Sequence, residues 1–172
     1  MEFFQVVKER CSTRKFIRQP VEAEKLRKVL ETINSAPSAG NMQAYEVYVV
    51  NDPVRQAALS KASWDQESIV EAQVVLVFCT HPELNAERYG DRGRDLYALQ
   101  DATIACTFAM LAVIAVGLAC VWVGAFDDEQ VWRIIGAPAG QTPVSMLPIG
   151  YPDKPAEPRT RRSLDSLIHR VG

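Results

Sequence analysis

The chain reads as an α+β protein, a small sheet flanked by helices. Helical stripes and short apolar runs follow one another without the regular βαβ spacing of a parallel sheet. Leu26, Val29, Leu30 and Ile33 recur at helical spacing. Val74 to Cys79 is an unbroken apolar run of strand length. With 172 residues and no internal repeat, one domain over residues 1–172 is expected, large enough to bury a core.

The elements follow in chain order. Glu2 to Glu9 is expected as a short helix with Phe3, Val6 and Val7 on its apolar side. Pro20 closes an arginine-bearing segment, and a second helix is expected from about Glu22 to Ser35. Tyr45 to Val50 has strand composition, and Asp52-Pro53 introduces a helix to about Ala62. The Val74–Cys79 strand comes next. Residues 80–93 are polar and irregular, expected as a loop near the mouth of a site. Asp95 to Val116 favours helix through alanine, leucine and methionine, whereas Leu118 to Phe126 favours strand through valine and aromatics. Gly117 divides the two. Asp127 with Gln130 reads as a capping box opening a helix that Gly136 ends. Val144 to Ile149 gives a last strand. From Tyr151 onward a proline-rich arm ends in a short amphipathic piece.

Charge and cysteine usage exclude several classes of function. A formal charge of −2 argues against a general nucleic-acid or anionic-membrane surface. Cys11, Cys79, Cys106 and Cys120 show no CxxC spacing and read as reduced thiols of a cytoplasmic protein. His81 and His169 have no ligand partner at metal spacing, so no metal site is expected. The opening MEFFQVVKER lacks the pattern of a secretory signal. From Ala102 to Phe126, 25 residues carry no charge, long enough to cross a bilayer. The change of composition at Gly117 favours a buried helix turning into a buried strand. A helix apolar nearly all round needs partners on several sides, and a second copy of a small chain supplies them.

Two polar clusters concentrate candidate chemistry. Arg10-Cys11-Ser12-Thr13-Arg14 places two guanidiniums and a hydroxyl at alternating positions, so extended backbone would aim all three at one anion such as a phosphate. Pro37-Ser38-Ala39-Gly40-Asn41-Met42-Gln43 is a loop with two carboxamides, which read edges having both donors and acceptors. Together they describe a nucleotide-like ligand. The same residues also read as an arginine-rich helix end and an ordinary turn. No Ser-His-Asp set, paired carboxylates or Walker loop is evident, and Gly90-x-x-Gly93 lacks the context of a dinucleotide fingerprint. Such a lack fits an enzyme whose cofactor supplies the reactivity.

Arg10-x-Ser12-x-Arg14-x-Phe16 followed by Ala36-Pro37-Ser38-Ala39-Gly40-Asn41-x-Gln43 resembles the opening of the nitroreductase-like flavoproteins. Trp122-Val123-Gly124-Ala125-Phe126, Leu147-Pro148-Ile149-Gly150-Tyr151-Pro152 and Arg159-Thr160-Arg161-Arg162-Ser163-Leu164 continue the resemblance in the family's order. It implies a small, mainly antiparallel sheet flanked by helices. It also implies an intertwined homodimer with a long buried helix, and an arm from about residue 151 to 172 packing on the dimer.

The implied cofactor is FMN, with NADH or NADPH as electron donor and a nitroaromatic, quinone or similar acceptor served in ping-pong order. By the resemblance, Arg10 and Ser12 with the Cys11 backbone would hold the phosphate, joined by Arg159 and Arg161. Arg14 would face the pyrimidine edge of the flavin, where a charge about 4 Å from another is worth about 4 kcal/mol at an effective dielectric near 20. Pro37, Ser38, Ala39, Asn41 and Gln43 would reach the flavin from the partner subunit, Asn41 by contact and Gln43 by contact or by bracing the loop. Gly124 and Ala125 match the place where backbone faces flavin N5, and glycine allows close approach there. Many family members carry an amide and a lysine in mid-chain. The comparable Trp64-Asp65-Gln66-Glu67-Ser68 has no base, and only Gln66 could substitute. The rival reading is a flavin-binding protein without significant turnover.

Overall fold

The computed structural model describes residues 1–155 and 159–172. Helix α1 spans Phe3–Glu9, β1 Phe16–Ile17, α2 Ala23–Asn34, β2 Tyr45–Val50, α3 Pro53–Ala62 and α4 Glu67–Glu71. Then come β3 (Val74–Thr80), α5 (Pro82–Arg92), a π-helical turn (Gly93–Tyr97), α6 (Ala98–Ala115), β4 (Ala119–Cys120), α7 (Asp128–Ile135) and β5 (Thr142–Pro152). The sheet order is β1-β5-β3-β2, with β4 also paired to β5, and every strand pair is antiparallel.

The sheet is covered on both faces, and β3 records this in its sequence. Val75, Val77 and Cys79 face a core completed by Leu59 of α3, Ile69 of α4 and Val131 and Ile135 of α7. Val74, Leu76 and Phe78 face a second core with Val29 and Ile33 of α2 and Ala105, Cys106, Ala109 and Val113 of α6. A strand buried on both sides loses the polar alternation of a half-exposed one. All seven of its residues are buried.

Several expectations need correction. Residues 80–93 form helix α5 rather than a loop: Pro82 occupies the first turn, Glu83 pairs with Arg94, and Asn85 is buried against α6. Two glycines and many charges concealed that helix, which kinks at Gly90. The run after Gly117 keeps strand hydrogen bonds only over Ala119–Cys120, then touches β5 again where Val123 pairs with Met146. Its register on β5 does not slip between those contacts. Tyr151 and Pro152 belong to β5, so the arm begins after them; its residues 156–158 lie outside the described residues. On α1 only Val6 is buried, while Phe3, Phe4 and Val7 remain exposed.

The segment Pro82–Ala115 is long and apolar enough to cross a membrane by length and composition alone. Its α6 part instead buries Ala98, Ala102, Ala105, Ala109 and Val113, against α2 and the sheet. Helix α7 obeys its caps: the Asp127 carboxylate accepts from the Gln130 N–H at 2.9 Å, and Gly136 ends it at φ 69°.

Phe78 is fully buried between β2 and β5, so Phe78→Ala should cost about 3–5 kcal/mol. Val49→Ala, on the exposed part of β2, should stay within about 0.5 kcal/mol. Urea unfolding of both variants checks the contrast; similar losses would contradict this placement of the core.

Candidate functional site

Leaving α1, the chain runs extended past β4: Ser12 bridges Cys120, and the Thr13 N–H donates to the Cys120 carbonyl at 3.0 Å. Extended backbone sends alternate side chains to opposite sides. Ser12 and Arg14 line a cavity of about 540 Å³, but Thr13 and Lys15 reach it too, with Asp153, Lys154 and Arg159, so alternation does not sort the strip onto two sides. Cys11 lines a different, more apolar hollow of about 950 Å³, between α1 and the end of α6. Thr13 is buried and borders both. Arg10 is half-buried, near enough to Cys120 for its charge to oppose the burial that raises that thiol.

Of the residues expected to bind the ligand, Ser12, Arg14 and Arg159 line this cavity and Arg10 does not; Lys15 and Lys154, which escaped the sequence reading, supply its other cations. Lys15 pairs with Glu67 and, at 3.0 Å, with Glu71, so hydrogen bonds to these carboxylates hold its ammonium above the usual lysine range. Fully exposed pairs of this kind add little stability. Their effect is placement, since they dock the strip onto α4. Lys154 joins from the end of β5. Neither position stood in a recognised motif, although Lys15 directly follows one. Arg161 does not line this cavity; its guanidinium donates to the carbonyls of Arg159 and Thr160.

The mid-chain amide does meet the glycine corner. Gln66 Nε2 donates to the Ala125 carbonyl at 3.3 Å. Trp64 and Asp65 precede it with φ of 54° and 58°, in the left-handed region that non-glycine residues rarely adopt. Ser60 fixes this corner, its hydroxyl donating to the Gln66 carbonyl and its own carbonyl accepting from Asp65. Gly124 and Ala125 are exposed, and a Cβ on Gly124 would come within 2.9 Å of the Trp122 indole nitrogen.

The carboxamide loop lies elsewhere on the chain. Pro37 and Asn41 are exposed, and Gly40, Asn41 and Gln43 all have positive φ. The Ser38 hydroxyl accepts from the Gln43 N–H at 2.9 Å, and Gln43 Nε2 reaches the Asn34 carbonyl at 3.3 Å. Gln43 thus braces the loop on α2. Ala39 donates its N–H to Asp101 at 2.9 Å. The cavity holding Ser12 and Arg14 has no loop residue in its wall. Asp101 also escaped sequence analysis, though its signal was present: it is the last charge before the 25-residue uncharged run.

Two hydroxyls and four cations, set against the single carboxylate of Asp153, surround one hollow and suit a phosphate-bearing group such as FMN. Comparison with known proteins agrees with this chemistry. The model of the Nitroreductase family matches residues 7–71 and 54–151. An NADH dehydrogenase of Thermus thermophilus is 30% identical over 92% of this chain and 91% of its own length. A Bacillus subtilis protein named FMN reductase, NAD(P)H, is 28% identical over 92% of this chain and 69% of its own. The crystal structure of nitroreductase A from Vibrio parahaemolyticus superposes with a TM-score of 0.91 at 25% identity, covering 100% of this chain and 76% of that one. The chain belongs to the nitroreductase family.

Burial pushes the thiols of Cys79, Cys106 and Cys120 up to about 12, from an ordinary value of 9.0. Their contribution to stability is complete below pH 9.0 and lost as pH rises through about 12, because the unfolded chain releases these protons first. A disulfide reagent at neutral pH should modify at most one thiol of the native protein, Cys11, and all four only after unfolding. A second native thiol reacting would contradict the buried positions.

Proposed function

We propose that this chain is an FMN-dependent oxidoreductase that draws electrons from NADH or NADPH and delivers them to a nitroaromatic, a quinone or a similar acceptor. It acts as a single FMN-binding domain within a cytoplasmic homodimer. The observation that carries this reading is the cavity where Ser12, Arg14 and Arg159 converge, since two parts of the family pattern far apart in the sequence supply those residues. The FMN reductase among its relatives supports the choice of cofactor and donor.

The chemistry that FMN supplies when bound is acceptance of hydride at N5 and its release to an acceptor. The chain's residues bind and orient. Ser12 and Arg159 would hold the phosphate through charge-assisted hydrogen bonds; Arg10, Arg161 and the Cys11 backbone, which do not line the cavity, would have to turn toward it to join them. Arg14 would supply a fixed cation to the pyrimidine edge, where negative charge grows on reduction. Gln66 steadies the corner at which Gly124 and Ala125 present their backbone. Pro37, Ser38, Ala39, Asn41 and Gln43 complete the site from the second subunit.

The reading of a second subunit rests on unsatisfied apolar surface. Phe3, Phe4 and Val7 on α1 and Leu99 on α6 are exposed, and Ile104, Phe108 and Leu111 continue a half-buried stripe along α6. Leu164, Leu167 and Ile168 on the arm are exposed as well. Contiguous apolar surface of this kind marks an association face.

Purified protein should be yellow or load with FMN, and should bleach when NADH or NADPH is added without oxygen. Colourless protein that refuses FMN would remove the proposal. Arg10→Ala and Arg159→Ala should each weaken FMN by about ten-fold or more while barely changing riboflavin, which lacks the phosphate. Equal losses for both flavins, read by fluorescence titration, would instead indicate a folding defect.

A further inference from the structure

One buried carboxylate has no part in the duties assigned above. Asp101 on α6 is 1% exposed, yet it makes no ion pair among the described residues. Its partners are neutral donors. Oδ1 accepts from the Ala39 N–H at 2.9 Å; Oδ2 accepts from Asn85 Nδ2 at 2.9 Å and from the Ala44 N–H at 3.4 Å. Ala39 and Ala44 bracket the turn that contains Gly40, Asn41 and Gln43. A single side chain therefore holds that turn at both ends.

Between these ends the backbone is strained. Asn41 and Gln43 sit at φ 59° and 50°, conformations that persist only where the surroundings over-determine them. Helix α5 closes on the same turn: Arg88 reaches the Gly40 carbonyl at 3.5 Å, and a Cβ on Gly40 would come within 2.4 Å of the Tyr89 hydroxyl. Asn85, one turn earlier on α5, is itself fully buried, and its Oδ1 has no partner. Burying a charge and an orphaned amide acceptor is a weak way to gain stability. Here both are spent on the conformation of one exposed turn.

The geometry points to Asp101, supported by Asn85, as a positioning residue. It fixes the strained turn so that Asn41 is presented in the orientation that recognises the heteroaromatic edge of the bound cofactor. This rests on the FMN reading above, and it extends that reading to α5 and α6. Asp101 does not touch the ligand; it acts through Asn41.

The test is a double-mutant cycle in the full-length protein, using FMN as the probe. Asp101→Asn keeps the size of the side chain but turns one acceptor toward its neighbours as a donor. It should weaken FMN by about ten-fold, the scale of one hydrogen bond to a charged group. It should also speed amide hydrogen exchange across residues 38–44 without matching changes in β3. Combined with Asn41→Ala, it should cause little further loss of FMN, because both lesions act on one contact. Losses that multiply independently, or unchanged exchange across 38–44, would overturn the assignment and leave Asp101 a packing residue. Should Asp101→Asn fail to fold, Asn85→Ala retains the carboxylate and removes one donor, and it should show the same coupling with a smaller loss. Wild-type protein that binds no FMN would instead defeat the functional reading, an outcome separate from a bound cofactor indifferent to Asp101.

Discussion

Burial of β3 and its neighbour β5 on both faces is the constraint from which the remaining arrangement follows. Alternate residues of β3 enter opposite cores, so one layer of helices cannot cover the strand. Helices α3, α4 and α7 close one face, and α2 and α6 close the other. At about 25 cal/mol per Å² of apolar surface, the second layer is a large part of the driving force in so short a chain. Helix α6 reaches the sheet with a narrow face of alanines, which brings its backbone close. Its bulkier Ile104 and Phe108 pack against the edge of the same core yet stay only half-buried, as does Leu111. The side of α6 that fits the sheet therefore leaves these side chains partly uncovered.

Local signals governed how much of this fold was legible. Strand β2 and helix α3 matched their expected bounds because composition and the Asp52-Pro53 start agreed with tertiary packing. The buried middle strand was clear from its unbroken apolar run. Helix α5 was hidden because its stability comes from Asn85 meeting Asp101 and Glu83 meeting Arg94, contacts with no helical stripe to announce them. Strand β1 has only two residues, paired with the end of β5, and two residues carry no periodicity.

The candidate site divides along the same line. The spacing pointed to Ser12 and Arg14, and the family pattern to Arg159, but the lining takes in Thr13 and Lys15 and leaves out Arg10, which alternation had grouped with them. The contributions of Lys15 and Lys154 depend on where β1 and β5 meet, which no window of sequence contains. The left-handed backbone of Trp64 and Asp65 was hidden for another reason. Their N–H groups donate to the Lys61 and Ser60 carbonyls at the end of α3, and neither residue type advertises that turn. Asp101 was visible as an isolated charge, but its role became apparent only when Ala39 and Ala44, about 60 positions earlier, were found on its two oxygens.

The distribution of polar groups also bears on the kind of catalyst this is. The three most buried thiols are held protonated by desolvation, and the ion pairs of Lys15 lie at the surface. Neither set provides a nucleophile or a proton relay at the cavity. What converges there are four cations, two hydroxyls and the Asp153 carboxylate, while Gln66 meets the backbone of Ala125 at the other corner. Fixed charges and oriented dipoles bind an anionic cofactor and bias its electron distribution without undergoing a reaction themselves. That explains why a chain with few acid–base candidates nevertheless holds strained turns at φ 50–59° in two separate places. On the proposed reading, that precision would place backbone and amide groups around a reactive molecule that the protein does not itself encode.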